Sequence, residues 1–207
     1  MGEAKRTNAD ADAIRVTPLT ADNWDALEAL FGQRGAVGGC WCMYWRQTRA
    51  EYERFKGESN HGAFREIVDA GGPIGLLAYD DDEAVGWCAV APRDEFSTLN
   101  RSRVLKRVDD QPVWSVVCFF VKRSHRHRGL TVQLLKAAIE FAGKHGASIL
   151  EGYPVEPRKP EMPPVFAFTG LASAFKQAGF VEVARRSETR PIMRYQIASS
   201  SGVEDLR

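Results

Sequence analysis

The chain has no apolar run near the length of a membrane span and no surplus of either charge. Its 28 Lys and Arg residues offset 27 Asp and Glu, leaving a formal net charge of +1. That balance gives no electrostatic footprint for nucleic acid, so neither a membrane nor a nucleic-acid partner is expected. Four cysteines in 207 residues are too few for a disulfide framework. Cys40 and Cys42 stand closer than the two ligands of a zinc knuckle, and no second close Cys or His pair follows. No metal site is therefore expected, and a reducing cytoplasm is the expected compartment. The opening MGEAKRTNADADA lacks the apolar core of a secretory signal, and Arg6 stands where a myristoylation signal takes Ser or Thr. There is no internal repeat.

What is present suits one domain with a sizeable core. Residues 1–12 and 199–207 are polar and read as disordered tails around a single domain at 13–198. Strands are expected at residues 13–19, 74–79, 84–91, 113–121, 148–153, 181–186 and 191–197. Helical spacing marks Trp24–Phe31 and residues 130–144, with shorter segments at 49–56, 61–70 and 170–178. The acidic turn Asp80-Asp81-Asp82-Glu83 joins two strands as a hairpin and reads as solvated. A charged excursion spans residues 92–112, and a proline-rich loop spans 154–164. This element order is that of an α/β sandwich on a mixed sheet.

The run Val116-Val117-Cys118-Phe119-Phe120-Val121 leads into KRSHRHRGLT, Lys122 to Thr131. An apolar strand thus ends in a basic loop that passes Gly129 into an amphipathic helix. Free N–H groups and the positive dipole end of a helix's first turn bind phosphate, and glycine lets the ligand approach the backbone. The spacing Arg126-His127-Arg128-Gly129-Leu130-Thr131 resembles the pyrophosphate loop of the GCN5-related N-acetyltransferases, the GNAT superfamily. The stretch Ala174-Phe175-Lys176-Gln177-Ala178-Gly179-Phe180 is similar to the family's terminal helix, which commonly ends in Gly-Phe before a strand. With the element order, the resemblance covers residues 13–197.

The resemblance implies an α/β fold with a mixed, mostly antiparallel central sheet flanked by helices, and acetyl-CoA (coenzyme A) as cofactor. Carried over by position, Arg126, His127, Arg128, Gly129, Leu130 and Thr131 would cradle the pyrophosphate, with Thr131 where Gly or Ala is usual. The pantetheine arm would run along the strand at 113–121 with amide pairs near Phe119 and Val121. The oxyanion donor would be a main-chain N–H at Phe119 or Phe120. Two side chains depart from the family's pattern. The central strand carries no Glu for a general base, and Phe175 stands where a general-acid Tyr is common. Glu151, at the end of the next strand, is the best-placed carboxylate, either as base or as a solvated strand end. Glu95 is a weaker candidate. Tyr153 lies on the same strand face and is the candidate acid, with Ser173 or unassisted departure as alternatives.

Gly38-Gly39-Cys40-Trp41-Cys42-Met43-Tyr44-Trp45-Arg46 falls where the family commonly lines its acceptor pocket. Trp41, Tyr44 and Trp45 either wall that pocket or belong to the core, and Arg46 is placed to pair a substrate carboxylate. Cys88 and Cys118 read as core, His125 and His127 as solvated loop, and His61 as a helix-start residue. Arg101, Arg103, Lys106 and Arg107 either favour an acidic acceptor or form a solvated face.

The expected activity is direct transfer of an acetyl or other acyl group from acetyl-CoA to a primary amine. The acceptor would be a small molecule or a peptide, and the enzyme a monomer or homodimer. The alternative is a non-catalytic CoA-binding or ligand-sensing domain on the same fold.

Overall fold

The computed structural model describes residues 14–158 and 163–198. The expected tails lie outside these residues, as does the middle of the proline-rich loop. Seven strands form one sheet: β1 Arg15–Pro18, β2 Gly75–Asp80, β3 Glu83–Pro92, β4 Trp114–Val121, β5 Ile149–Gly152, β6 Val181–Arg185 and β7 Pro191–Gln196. Their spatial order is β1-β2-β3-β4-β5-β7-β6, and every neighbouring pair is antiparallel except β4 with β5. This is the mixed, mostly antiparallel sheet that the sequence implies.

Alternation along the strands sends residues to two cores. Leu77, Trp87, Ala89 and Val117 meet α1 (Trp24–Phe31) and α3 (Glu58–Asp69) through Trp24, Leu27, Phe31, Phe64 and Val68. Leu76, Ala78, Cys88, Val90 and Val116 meet α5 (Leu130–Lys144) and α6 (Ala172–Gln177) through Leu134, Leu135, Ala138 and Phe175. Covering both faces explains why β3 is buried from Ala84 to Ala91 with little polar alternation. Between α1 and β2, α2 (Arg49–Phe55) starts with a capping box, Thr48 accepting from the Glu51 amide at 3.3 Å while Glu51 accepts from the Thr48 amide at 2.8 Å.

The excursion before β4 is not a loose charged loop. It contains a short helix, α4 (Ser97–Arg101), and buries Phe96, Leu99 and Leu105 in the first core. Its apolar residues are scattered among charges, so no helical period announced it. Arg186 ties it down, donating to the carbonyls of Lys106 at 2.6 Å and Arg107 at 2.9 Å. His61 lies within α3, with its Nε2 2.5 Å from Glu28, rather than starting the helix. His125 is buried, with its Nε2 2.8 Å from Asp80, so neither it nor that end of the acidic turn is simply solvated.

Strands β4 and β5 share only three register positions, Trp114 with Leu150, Ser115 with Glu151 and Val116 with Gly152. At the last of these, Gly152 has no side chain and the ring of Phe175 packs directly over its backbone. A Cβ there would fall inside that ring, which is fully buried and has nowhere to move. Gly152→Ala is expected to cost about 1–3 kcal/mol, read as a lower midpoint in urea unfolding with unchanged slope.

Candidate active site

Beyond Val116, β4 continues without β5, and a cleft opens between them. The bulge in β4 sets which groups face it. Ala89 pairs with Cys118 and Val90 with Val116, so Val117 is the extra residue. Past the bulge, Lys122 donates to Val85 of β3, so alternation turns the main chain of Phe119 and Val121 toward the cleft and that of Phe120 toward β3. An oxyanion donor at Phe120 is thereby ruled out. Trp45 fixes the bulge, donating from Nε1 to the Val117 carbonyl at 3.0 Å.

At the far end of β4, residues 123–125 make a single tight turn before the chain enters α5. His127 (φ 62°) and Gly129 (φ 76°) are both left-handed, which folds the loop into a concave run of amides. The amides from His127 to Thr131 find no acceptor among the described residues, and the helix proper is first closed by Val132 donating to Gly129 at 2.9 Å. Arg126 is turned back, its Nε donating to the Val121 carbonyl at 3.1 Å. The loop therefore offers an anion several N–H groups at the positive end of a 15-residue helix, with Arg128 exposed beside it.

The side chains proposed for proton transfer are placed differently from expectation. Glu151 is not a solvated strand end. It is fully buried, and its carboxylate lies between Arg93 (3.2 Å) and Arg194 (2.7 Å). Arg194 extends the network to Asp109 at 2.6 Å, holding the Asp109 carboxyl down at about 2. Tyr153 donates to Glu151 at 2.6 Å, contacts Ser115 at 2.9 Å and also accepts from Arg93. Burial, followed by the Glu151 charge, pushes the tyrosine hydroxyl far above its ordinary value. Glu151 and Tyr153 thus sit in one buried network of hydrogen bonds with both guanidiniums. Glu95 is exposed and paired to Arg46 at 3.0 Å.

The aromatic segment divides. Trp41 belongs to the core, stacked on Trp24 at 6.2 Å and 4.4 Å from the His61 ring. The segment is not helical there, since Trp41 (φ 41°) and Cys42 (φ 56°) are left-handed, and this turns Trp41 away from the cleft. The Arg46 guanidinium is spent on Glu95 and the face of Phe96, so it is not free for a substrate carboxylate. Tyr44 and Trp45 do reach the cleft, where both meet Phe168. The Cys42 thiol is pushed well up by its contact with the Cys118 thiol and by burial, and the Cys40 thiol is raised by burial, so neither is an activated nucleophile. No group of three or more metal-ligating side chains occurs among the described residues. Nor is any helix among them long and apolar enough to cross a membrane.

The model of the GNAT acetyltransferase family matches residues 40–158, from the aromatic segment through β5 and its following loop. The chain belongs to the GNAT family. The GNAT fold is also found in solved structures of low identity. PaiA N-acetyltransferase from Thermoplasma acidophilum, solved with coenzyme A, is 15% identical over 89% of this chain and 99% of its own, with a TM-score of 0.51. AAC(6')-Iy, solved with the bisubstrate analogue CoA-S-monomethyl-acetylneamine, is 17% identical over 85% of this chain and 96% of its own, with a TM-score of 0.54. A GNAT acetyltransferase from Streptococcus pneumoniae is 14% identical over 90% and 100%, with a TM-score of 0.51. No curated protein matches the chain by sequence.

Within this GNAT chain, sequence reasoning missed Arg93 and Arg194, which have no motif around them. Their only signal is an Arg at a strand's end or middle in otherwise apolar surroundings. Replacing Glu151 with Gln leaves two buried guanidiniums short of a counter-charge and is expected to cost about 3–5 kcal/mol in denaturant unfolding. A stable Glu151→Gln protein with lost turnover would instead make Glu151 the base.

Proposed function

We propose that the protein transfers an acetyl or other acyl group from acetyl-CoA to a primary amine of a small molecule or peptide. The observation that carries this reading is the continuous track from the cleft-facing edge of β4 to the unpaired amides of 127–131. An extended amide-bearing chain can add to that edge as a strand would, while a phosphate group ends on the amide cradle. The residues present fit coenzyme A in both respects. Phe119 and Val121 would meet the pantetheine amides, and Arg126, His127, Arg128, Gly129, Leu130 and Thr131 would hold the pyrophosphate. Thr131, half-buried in the first turn of α5, adds a hydroxyl donor where the family usually has a small residue.

Tyr44 and Trp45 line the acceptor side, opposite α5 and α6. The cleft main chain is the electrophilic stabiliser, and the bulge pinned by Trp45 fixes its direction. Glu151 and Tyr153 are assigned to holding the strands, so no side-chain base is left at the cleft among the described residues. Acceleration then rests chiefly on holding the amine against the thioester carbonyl. Phe175, buried in the second core where the family commonly has a Tyr, has no proton to give the thiolate. This same poverty of acid and base favours a second reading, a CoA-binding sensor without turnover. Release of free thiol from acetyl-CoA across a panel of amines separates the two.

Gly129→Glu tests the cofactor site. The substitution forces a side chain into left-handed backbone and sets a negative charge among amides aimed at phosphate. Calorimetry is expected to register acetyl-CoA binding weakened on the order of a hundredfold, about 2.7 kcal/mol. Equal affinity in a folded variant would remove the loop from the cofactor site.

A further inference from the structure

The cleft is not open. Residues 165–171 lie across it, and the carbonyl of Phe168 accepts the Phe119 N–H at 2.6 Å. That amide is one of the two on β4, with Val121, that face the cleft beyond the shared register. The Phe168 ring sits on the acceptor side, with its centroid 5.7 Å from Tyr44 and 6.2 Å from Trp45. The next residue, Thr169, is fully buried, and its hydroxyl accepts from Arg190 at 2.9 Å. Gly170 and Ala172 then pair with Val155, the amide of Val155 donating to Gly170 and that of Ala172 donating to Val155, each at 2.9 Å. One short segment thus takes up a cleft-facing amide of β4 and sets an aromatic ring against Tyr44 and Trp45 beside it.

We propose that residues 165–171 are a displaceable strap, in which Phe168 holds with its own carbonyl and ring the positions that the acyl-CoA arm and the acceptor would take. The inference rests on the acyl-CoA reading of the cleft. An acyl-CoA arm and the Phe168 carbonyl compete for the same Phe119 N–H, so binding requires the strap to swing out. The segment is built for that. Its outer residues, Val165 and Phe166, are exposed, and its hold on β4 is a single hydrogen bond. The inner hinge stays tied to Val155. The closed state withholds the cleft and lowers apparent affinity by the fraction of molecules that are open. Unoccupied enzyme would in this way keep Trp45 and the Phe119 amide covered.

The test is stopped-flow tryptophan fluorescence with acetyl-CoA, since Trp45 lies against Phe168 and reports its movement. For the wild-type protein the observed rate should level off with rising acetyl-CoA, the plateau being the opening rate. Phe168→Ala removes the ring contacts and should raise the plateau and tighten binding at least tenfold. Thr169→Val, which keeps the packed volume but loses the Arg190 bond, should move both in the same direction by less. Wild-type rates that stay linear in acetyl-CoA, together with unchanged affinity in both variants, would overturn the strap while leaving the cofactor site standing. Absence of acetyl-CoA binding by all three proteins would overturn the strap together with the acyl-CoA reading.

Discussion

Two parallel strands that must part after three residues need a strong reason to hold together before they do. In this chain the reason is the carboxylate of Glu151, buried between Arg93 at the end of β3 and Arg194 in the middle of β7. Tyr153 carries the same network to Ser115 of β4, so one charge cluster ties β3, β4, β5 and β7 at the point of divergence. In a low-dielectric interior such a cluster holds only if each charge is matched, and a lost partner leaves an uncompensated ion. The network is therefore better suited to fixing where the sheet splits than to moving protons. The cleft, the free edge of β4 and the amides before α5 all lie beyond that split.

The opening has two kinds of wall. Toward α5 and α6 it is backbone, the free edge of β4 leading to the amides before α5, suited to a ligand that is itself a chain of amides ending in phosphate. Toward α1 and α3 it is aromatic, with Tyr44 and Trp45, and Trp45 also sets the bulge through the Val117 carbonyl. A single side chain thus couples the aromatic wall to the geometry of the β4 main chain. The strap lies across the meeting of the two walls, and its carbonyl and ring match both.

The parts legible in the sequence are those with a local period or local turn chemistry. The apolar run of β4, the glycine at 129 and the amphipathic face of α5 announce their elements without help from the rest of the chain. The hairpin of β2 and β3 does so as well. Residues whose role depends on distant partners were not legible. Glu151 reads alone as a carboxylate at a strand end, because nothing near it in sequence reveals Arg93, 58 residues away, or Arg194, 43 residues away. Trp41 and Trp45 are four residues apart and alike in sequence, yet left-handed backbone at Trp41 and Cys42 sends one to the core and leaves the other on the bulge. Phe168 carried no signal, since its position opposite Phe119 exists only once β4 and β5 have separated.

The central claim, that the β4 edge and the α5 cradle form one acyl-CoA track, is tested most directly by backbone amide NMR during titration with acetyl-CoA. The account predicts that the largest shifts fall together on Phe119, Val121 and residues 127–131, at opposite ends of one ligand, with Phe168 moving as it is displaced and Gly170, tied to Val155, moving less. Shifts confined to another surface, or none at concentrations that saturate GNAT enzymes, would contradict it.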